Sequence, residues 1–173
     1  MHQLFGDNMI LAVDVCYHET SATIAGVIFT DFLSDTPENI IISEIETVEE
    51  YISGEFYKRE LPCIVQLLEE HNVKPNCIIV DGFVYLDGKT KPGLGKKLFD
   101  YLNGEVNIIG VAKNPYDTIL KECEVYRGKS QKPLYVTSVG IDITQAKKLV
   151  KSMHGEFRVP TLLKRVDKIC RRN

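Results

Sequence analysis

This sequence predicts an α/β fold, a mixed sheet of five to six strands flanked by helices, and three observations carry that prediction. Ile, Val and Thr dominate three successive stretches near the N-terminus, a helical apolar period follows them, and short apolar runs then alternate with further helical stretches. The three early stretches are "NMILAVDVCY" (8–17), "TSATIAGVIFTDF" (20–32) and "NIIISEIETVEEY" (39–51), parted by the polar turns "HE" and "LSDTPE". They read as strands of an antiparallel meander. Between Glu55 and His71 the period becomes helical, with Tyr57, Leu61, Ile64 and Leu68 on one face. Pro62 has no amide proton, so it fits the first turn of a helix over about 61–71 or a kink in a longer one. "CIIVDG" (77–82) is a continuous apolar run, as expected of a strand buried on both faces. A helix over 93–103, strands over 106–113 and 132–139, and a helix over 142–154 that Asp142 or Thr144 could cap complete the order β-β-β-α-β-α-β-linker-β-α.

Composition limits what such a fold can be for. With 173 residues, 44% hydrophobic and 26% charged, the chain has the size to bury one sizeable core, so a single domain over 1–173 is expected. A net charge of −3, from 21 basic and 24 acidic residues, provides no overall positive field, and any nucleic-acid binding must rest on local clusters. Five widely spaced cysteines without a CxxC pair point to reduced thiols in a cytoplasmic compartment and away from a zinc knuckle or a disulfide framework. The first residues lack the basic and long apolar regions of a signal peptide, and no apolar run approaches the roughly 18 residues of a membrane span. A cytoplasmic monomer without membrane contact is the expectation.

Three acids stand out against this frame. Asp14 lies inside the first apolar strand, where an ionised carboxylate costs several kcal/mol unless it is paired or metal-bound. Asp81 closes "IIVDG", at the carboxyl end of a parallel-type strand, the edge where open α/β sheets present ligands. Glu60 stands beside Pro62 at the mouth of the helix. If the first and fourth strands are neighbours, Asp14 and Asp81 converge and Glu60 can reach in. Three such carboxylates repel one another unless a divalent cation lies between them, and hard oxygen ligands suit Mg²⁺ or Mn²⁺. Taken singly, Asp81 also reads as a turn residue and Glu60 as a solvated helix residue.

The pieces "VDVCY", "YISGEFYKRE", "IIVDG", "GLGKKL", "IGVAKN", "PLYVTSVG" and "FRVPTLLKRVD" occur in the order and at roughly the spacings of the endonuclease V family, which the chain resembles from about Met9 to Arg172. The resemblance implies an RNase H-like fold. It also implies Mg²⁺-dependent hydrolysis of DNA, or in some members RNA, at the second phosphodiester bond 3′ to a (deoxy)inosine. The family's three metal-binding acids fall on Asp14, Glu60 and Asp81, and its basic residue of "GVAK" falls on Lys113, which would contact the phosphate. Its strand-separating "PYIP"-like wedge falls on "EYISG", so Tyr51, Ile52 and Gly54 match while Glu50 and Ser53 replace prolines. Gly82 would admit a base or backbone at close range.

The chain also departs from that family. Ile141 stands where a histidine near the metal site is usual, Asp142 where an arginine is, and Phe83 where a second histidine is. RNase H-like nucleases often complete their acid set near the last helix, so Asp142 reads either as a fourth metal ligand or as a helix cap. Lysines at 89, 91, 96 and 97, and Lys164, Arg165, Lys168, Arg171 and Arg172 on a C-terminal helix, are available as two banks of a nucleic-acid groove. The expectation is a metal-dependent endonuclease acting on inosine-containing DNA or RNA. The alternatives are a redirected nuclease and a non-catalytic nucleic-acid binder of the same fold.

Overall fold

The computed structural model describes residues 8–46, 48, 56–117 and 119–171. Among these residues seven strands form one sheet in the order β3-β2-β1-β4-β5-β7-β6. They are β1 (Ile10–Tyr17), β2 (Ala22–Phe29), β3 (Asn39–Ile45), β4 (Cys77–Asp81), β5 (Asn107–Ala112), β6 (Glu124–Val125) and β7 (Leu134–Val139). The expected meander is present, with β1 antiparallel to β2 and β2 to β3. β1, β4 and β5 are mutually parallel at the centre, and β7 runs antiparallel to β5. The sheet is mixed, as expected, but one strand wider than the upper count. The addition, β6, is two residues paired to β7, too short to leave a period in the sequence.

Among the described residues four α-helices cover the two faces: α1 (Phe56–Glu70), α2 (Leu94–Tyr101), α3 (Ile143–Ser152) and α4 (Thr161–Cys170). Alternation along the strands divides the core accordingly. Leu11, Val13, Ile78, Val80 and Ile108 face α1 and α2 through Ile64, Leu67 and Leu98, whereas Ile10, Ala12, Ile79, Val111 and Val136 face α3 and α4 through Val150, Leu162 and Val166. Among the described residues no helix is long and apolar enough to cross a membrane.

α1 starts five residues ahead of the shorter expected helix, and Pro62 is in its interior. Proline there cannot donate to the carbonyl of Lys58 and costs about 3 kcal/mol in a helix interior. The turns on either side continue because Cys63, Ile64 and Leu67 are completely buried against the sheet. The third strand ends at Ile45 rather than running to 51; residues 47 and 49–51 of that expected stretch lie outside the described residues.

One local arrangement positions the loop that follows β4. At Gly110 on β5 an added Cβ would lie 2.6 Å from the Gly82 carbonyl and 2.9 Å from the Val84 nitrogen, so only glycine lets that loop lie against the sheet. The amide of Val84 then donates to Thr137 Oγ1 at 2.8 Å and that of Gly82 to the Val111 carbonyl at 3.1 Å.

Candidate active site

β1 and β4 are parallel neighbours with Ala12 opposite Ile79, and continuing that register sets Asp14 level with Asp81. Asp81 pairs with Val111 on β5, so Lys113, two residues further along, is on the same side of the sheet. α4 crosses this face and delivers Asp167. Asp14, Asp81, Lys113 and Asp167 thus line one cleft, whose apolar walls include Val111, Val159, Leu163 and Val166. Glu60, only 4% exposed, reaches the same end of the sheet from α1 in the opposite layer. The conditional step in the sequence reading, adjacency of the first and fourth strands, is met.

Electrostatics show how tightly the acids are drawn together. Burial, then the charge of Asp81 and a side-chain hydrogen bond with Asp167, push the Asp14 carboxyl up to about 8, against a backbone bond from the Val15 amide to Oδ1 at 2.9 Å. Glu60 is raised well above the ordinary carboxylate range by burial and by the charges of Asp81 and Asp14, with Arg59 opposing. Asp81 is exposed at the end of β4, yet the protein atoms crowding its carboxyl raise it as well, although Lys113 pulls it down. Asp167 goes the other way: burial pushes it up, but hydrogen bonds from Arg171 and Asp14 and the charge of Lys113 outweigh that and hold it low. Asp167 is engaged with the Asp14 carboxyl and accepts from Arg171 Nε at 2.8 Å.

Among the described residues no three acid, histidine or cysteine side chains surround one point closely enough to hold a metal as they stand. The chemistry of the donors nevertheless fits a hard divalent cation. All are carboxylate oxygens, and Glu60 Oε2 is buried without a hydrogen-bond partner among the described residues, a costly state for an acid oxygen. Tyr17 Oη and Arg59 Nε beside it are likewise buried without such a partner, and the Arg59 guanidinium stacks 3.7 Å from the Tyr17 ring centroid.

The acid that lines the cleft with Asp14 and Asp81 is Asp167. Asp142 is the N-cap of α3, its side chain accepting from the Thr144 amide at 2.9 Å, and its charge is not among those perturbing Asp14, Glu60 or Asp81. Of its two readings the structure selects the cap. Asp167 occupies the cleft instead. Its signal was present in "FRVPTLLKRVD", but a lone acid on a basic helix looks solvated until the helix is seen to cross β1. Ile141, where a family histidine is usual, packs against the core beneath α3, and Phe83 packs edge-on against Tyr116 at 6.4 Å. Gly82 has a φ of +149°, which favours glycine, and a Cβ there would have nothing within 4 Å, so space is open beside Asp81. Tyr51, Ile52 and Gly54 lie outside the described residues.

A further residue passed over in the sequence supports the cleft. The Arg158 guanidinium donates to the carbonyl of Lys113 and, at 2.6 Å, to that of Pro133, tying the ends of β5 and β7 to the loop that leads into α4. Arg158→Ala is expected to slow catalysis about tenfold and to cost about 2 kcal/mol of stability, as hydrogen bonds to charged groups do. If Arg158 acts by holding Lys113, its effect on rate shrinks in a Lys113→Ala background; additive losses would make it only a structural clamp.

Comparison with known proteins places this geometry. The family model described as Endonuclease V matches residues 2–124, which contain Asp14, Glu60, Asp81 and Lys113. The chain belongs to the endonuclease V family. Endonuclease V of Streptomyces avermitilis is 27% identical over 194 aligned positions, covering 96% of this chain and 81% of the relative. The crystal structure of endonuclease V from that organism superposes with a TM-score of 0.76 at 23% identity, over 96% of this chain and 81% of the other. Ciona intestinalis endonuclease V, solved with a 24mer DNA containing an inosine followed by a ribo-adenosine, superposes with a TM-score of 0.75 at 20% identity, over 97% of this chain and 86% of the other. At these identities the structures show a shared fold, and the α/β class expected from the sequence is the fold of the endonuclease V structures. Family membership identifies a nuclease-type hydrolase.

The acid cluster makes the stability of the metal-free protein depend on pH. Asp14 holds its proton to about pH 8 when folded, against an ordinary value of 3.8, so between those values the folded chain binds more protons than the unfolded one. Stability is greatest below about pH 4 as far as this group is concerned and falls as pH rises towards 8. Urea midpoints in EDTA should drop across that window and be restored by Mg²⁺; a flat profile in EDTA would show that the acids are less confined than the geometry indicates.

Proposed function

We propose that this protein is a metal-dependent endonuclease that hydrolyses the second phosphodiester bond 3′ to (deoxy)inosine, serving repair of deaminated DNA or turnover of inosine-containing RNA. The observation that carries the reading is the convergence of Asp14, Asp81, Asp167 and Lys113 on one cleft, with Glu60 buried and its Oε2 lacking a partner among the described residues. The solved Ciona relative holds inosine-containing DNA, which makes inosine strands the substrate to try first.

Asp14, Asp81 and Asp167 would hold Mg²⁺ or Mn²⁺ from the sheet edge and α4, with Glu60 approaching from the other layer. When bound, the ion supplies charge neutralisation at the phosphate and an activated water. The side chains do the rest. Lys113 sets a positive charge beside Asp81, where a non-bridging phosphate oxygen is stabilised as charge develops on it. Apolar walls from Val111, Val159, Leu163 and Val166 exclude bulk water, which strengthens each of these charge interactions. Loss of the family histidines to Ile141 and Phe83 leaves the carboxylates as the cleft's proton acceptors. Tyr51, Ile52 and Gly54 are assigned to strand separation and base capture, with stacking on Tyr51 contributing about 1–3 kcal/mol. The open space beside Gly82 receives the extruded base or its backbone.

The deciding experiment uses end-labelled strands with one inosine, in DNA and RNA form, with Mg²⁺, Mn²⁺ or EDTA. Cutting at the second bond 3′ to the inosine, in either metal and absent in EDTA, is expected. Cutting elsewhere would identify a redirected nuclease, and metal-independent binding without any cutting would identify a nucleic-acid binder that keeps the fold.

A further inference from the structure

We propose that the outer face of α4 and the loop before it form a track for a single nucleic-acid strand beyond the catalytic cleft, with Phe157 as the platform for one base and Lys164, Arg165 and Lys168 as its phosphate contacts. The inference rests on the nuclease reading and extends it by naming where the strand runs and in what state.

Phe157 is 68% exposed, the most of any large hydrophobic side chain among the described residues. A slack loop does not explain this exposure. Arg127, itself buried, donates to the carbonyls of Lys151, Met153, Gly155, Phe157 and Arg158, so the backbone that carries the ring is clamped from beneath. The neighbouring turn is equally close-fitting: Gly128 has a φ of +59°, and a Cβ there would run into the Glu156 carbonyl. An aromatic ring is thus held out to solvent on a rigid support. Lys164 Nζ lies 5.7 Å from its centroid, near enough for cation–π attraction.

The surroundings supply the charge. A groove beside the ring is lined by Phe157, Val159, Lys164, Arg165 and Lys168, with Asp35 the one acid there among the described residues; the next groove along α4 includes Arg171, which is paired with Asp167. On a chain of net charge −3 this is a local concentration of cations, complementary to phosphates. Val159 lines both this groove and the catalytic cleft, so the two adjoin and α4 borders both, with Asp167 in the cleft and Lys164, Arg165 and Lys168 in the groove. Ring plus cations is the arrangement that binds unpaired strands, because a base must leave its stack to lie on Phe157.

The test uses the full-length chain and inosine-free DNA, so that it does not depend on cleavage. Affinities of single strands of increasing length are measured by fluorescence anisotropy at several salt concentrations, for the wild type, Phe157→Ala and the triple variant Lys164→Gln/Arg165→Gln/Lys168→Gln. All four side chains are on the surface, and circular dichroism checks that the variants fold. Extending the strand should tighten binding by the wild type. Phe157→Ala should remove at least about fivefold of the gain, the lower end for one stacked base, and the triple variant should flatten the slope of log affinity against log salt by roughly 2. An equal gain with strand length in all three proteins would overturn the proposal, as would a Phe157→Ala loss as large on duplex as on single strands. If the wild type cuts inosine strands but these differences are absent, the track is wrong and the nuclease reading stands; if the differences appear without cutting, the reverse holds.

Discussion

Asp14→Asn is expected to reduce inosine-directed cleavage by on the order of a thousandfold, the scale on which a preorganised charge at a hydrolytic centre acts, while making the metal-free protein more stable. The two effects have one cause. Asp14 is in a core strand, 8% exposed, and its carboxyl is raised by burial and by the nearby charges of Asp81 and Asp167. Asparagine keeps the shape and can still bond to Asp167, but it removes a group that must be either protonated or neutralised. Urea midpoints at pH 8 in EDTA should therefore rise in the variant and gain little from Mg²⁺, whereas the wild type gains much. Lost cleavage with a lowered midpoint would mean that Asp14 supports the strand rather than the chemistry.

Asp167→Asn should lower cleavage about a hundredfold or more, and Asp142→Ala should leave the rate intact while costing about 1 kcal/mol of stability, the usual value of a helix cap. Asp167 accepts from Arg171 and lies against the Asp14 carboxyl, so its charge is available in the cleft. Asp142 is engaged by the first turn of α3. Single-turnover rates and thermal melts on both variants separate the roles. The opposite pattern, with Asp142 essential and Asp167 dispensable, would require α3 to move against the sheet and would overturn this assignment.

How much of this was legible in the chain can be argued from these same residues. Asp14 was conspicuous because an acid in "LAVDVCY" violates the cost of burying charge, and Asp81 because it terminates a run of apolar residues; both anomalies are local. Asp167 violates nothing locally. It is one acid among Lys164, Arg165, Lys168 and Arg171, and its half-buried state results from α4 crossing β1, a contact between segments about 150 residues apart. Arg127 and Arg158 were missed for the same reason, since their hydrogen bonds go to backbone carbonyls, which leave no mark in a side-chain pattern. β6, two residues long, is set by its pairing with β7.

By itself, then, the sequence determined the alternation of strands and helices and the central apolar strands, and it made Asp14 and Asp81 conspicuous, because hydrophobic period and the cost of a buried charge act over a few residues. Only the tertiary structure decided that Asp167 lines the cleft with Asp14, Asp81 and Lys113, that Asp142 is a cap, and that the exposed side of α4 presents cations beside Phe157 of the preceding loop. Those facts depend on strand register and helix placement, and register is a relation between distant segments that no local stretch of sequence contains.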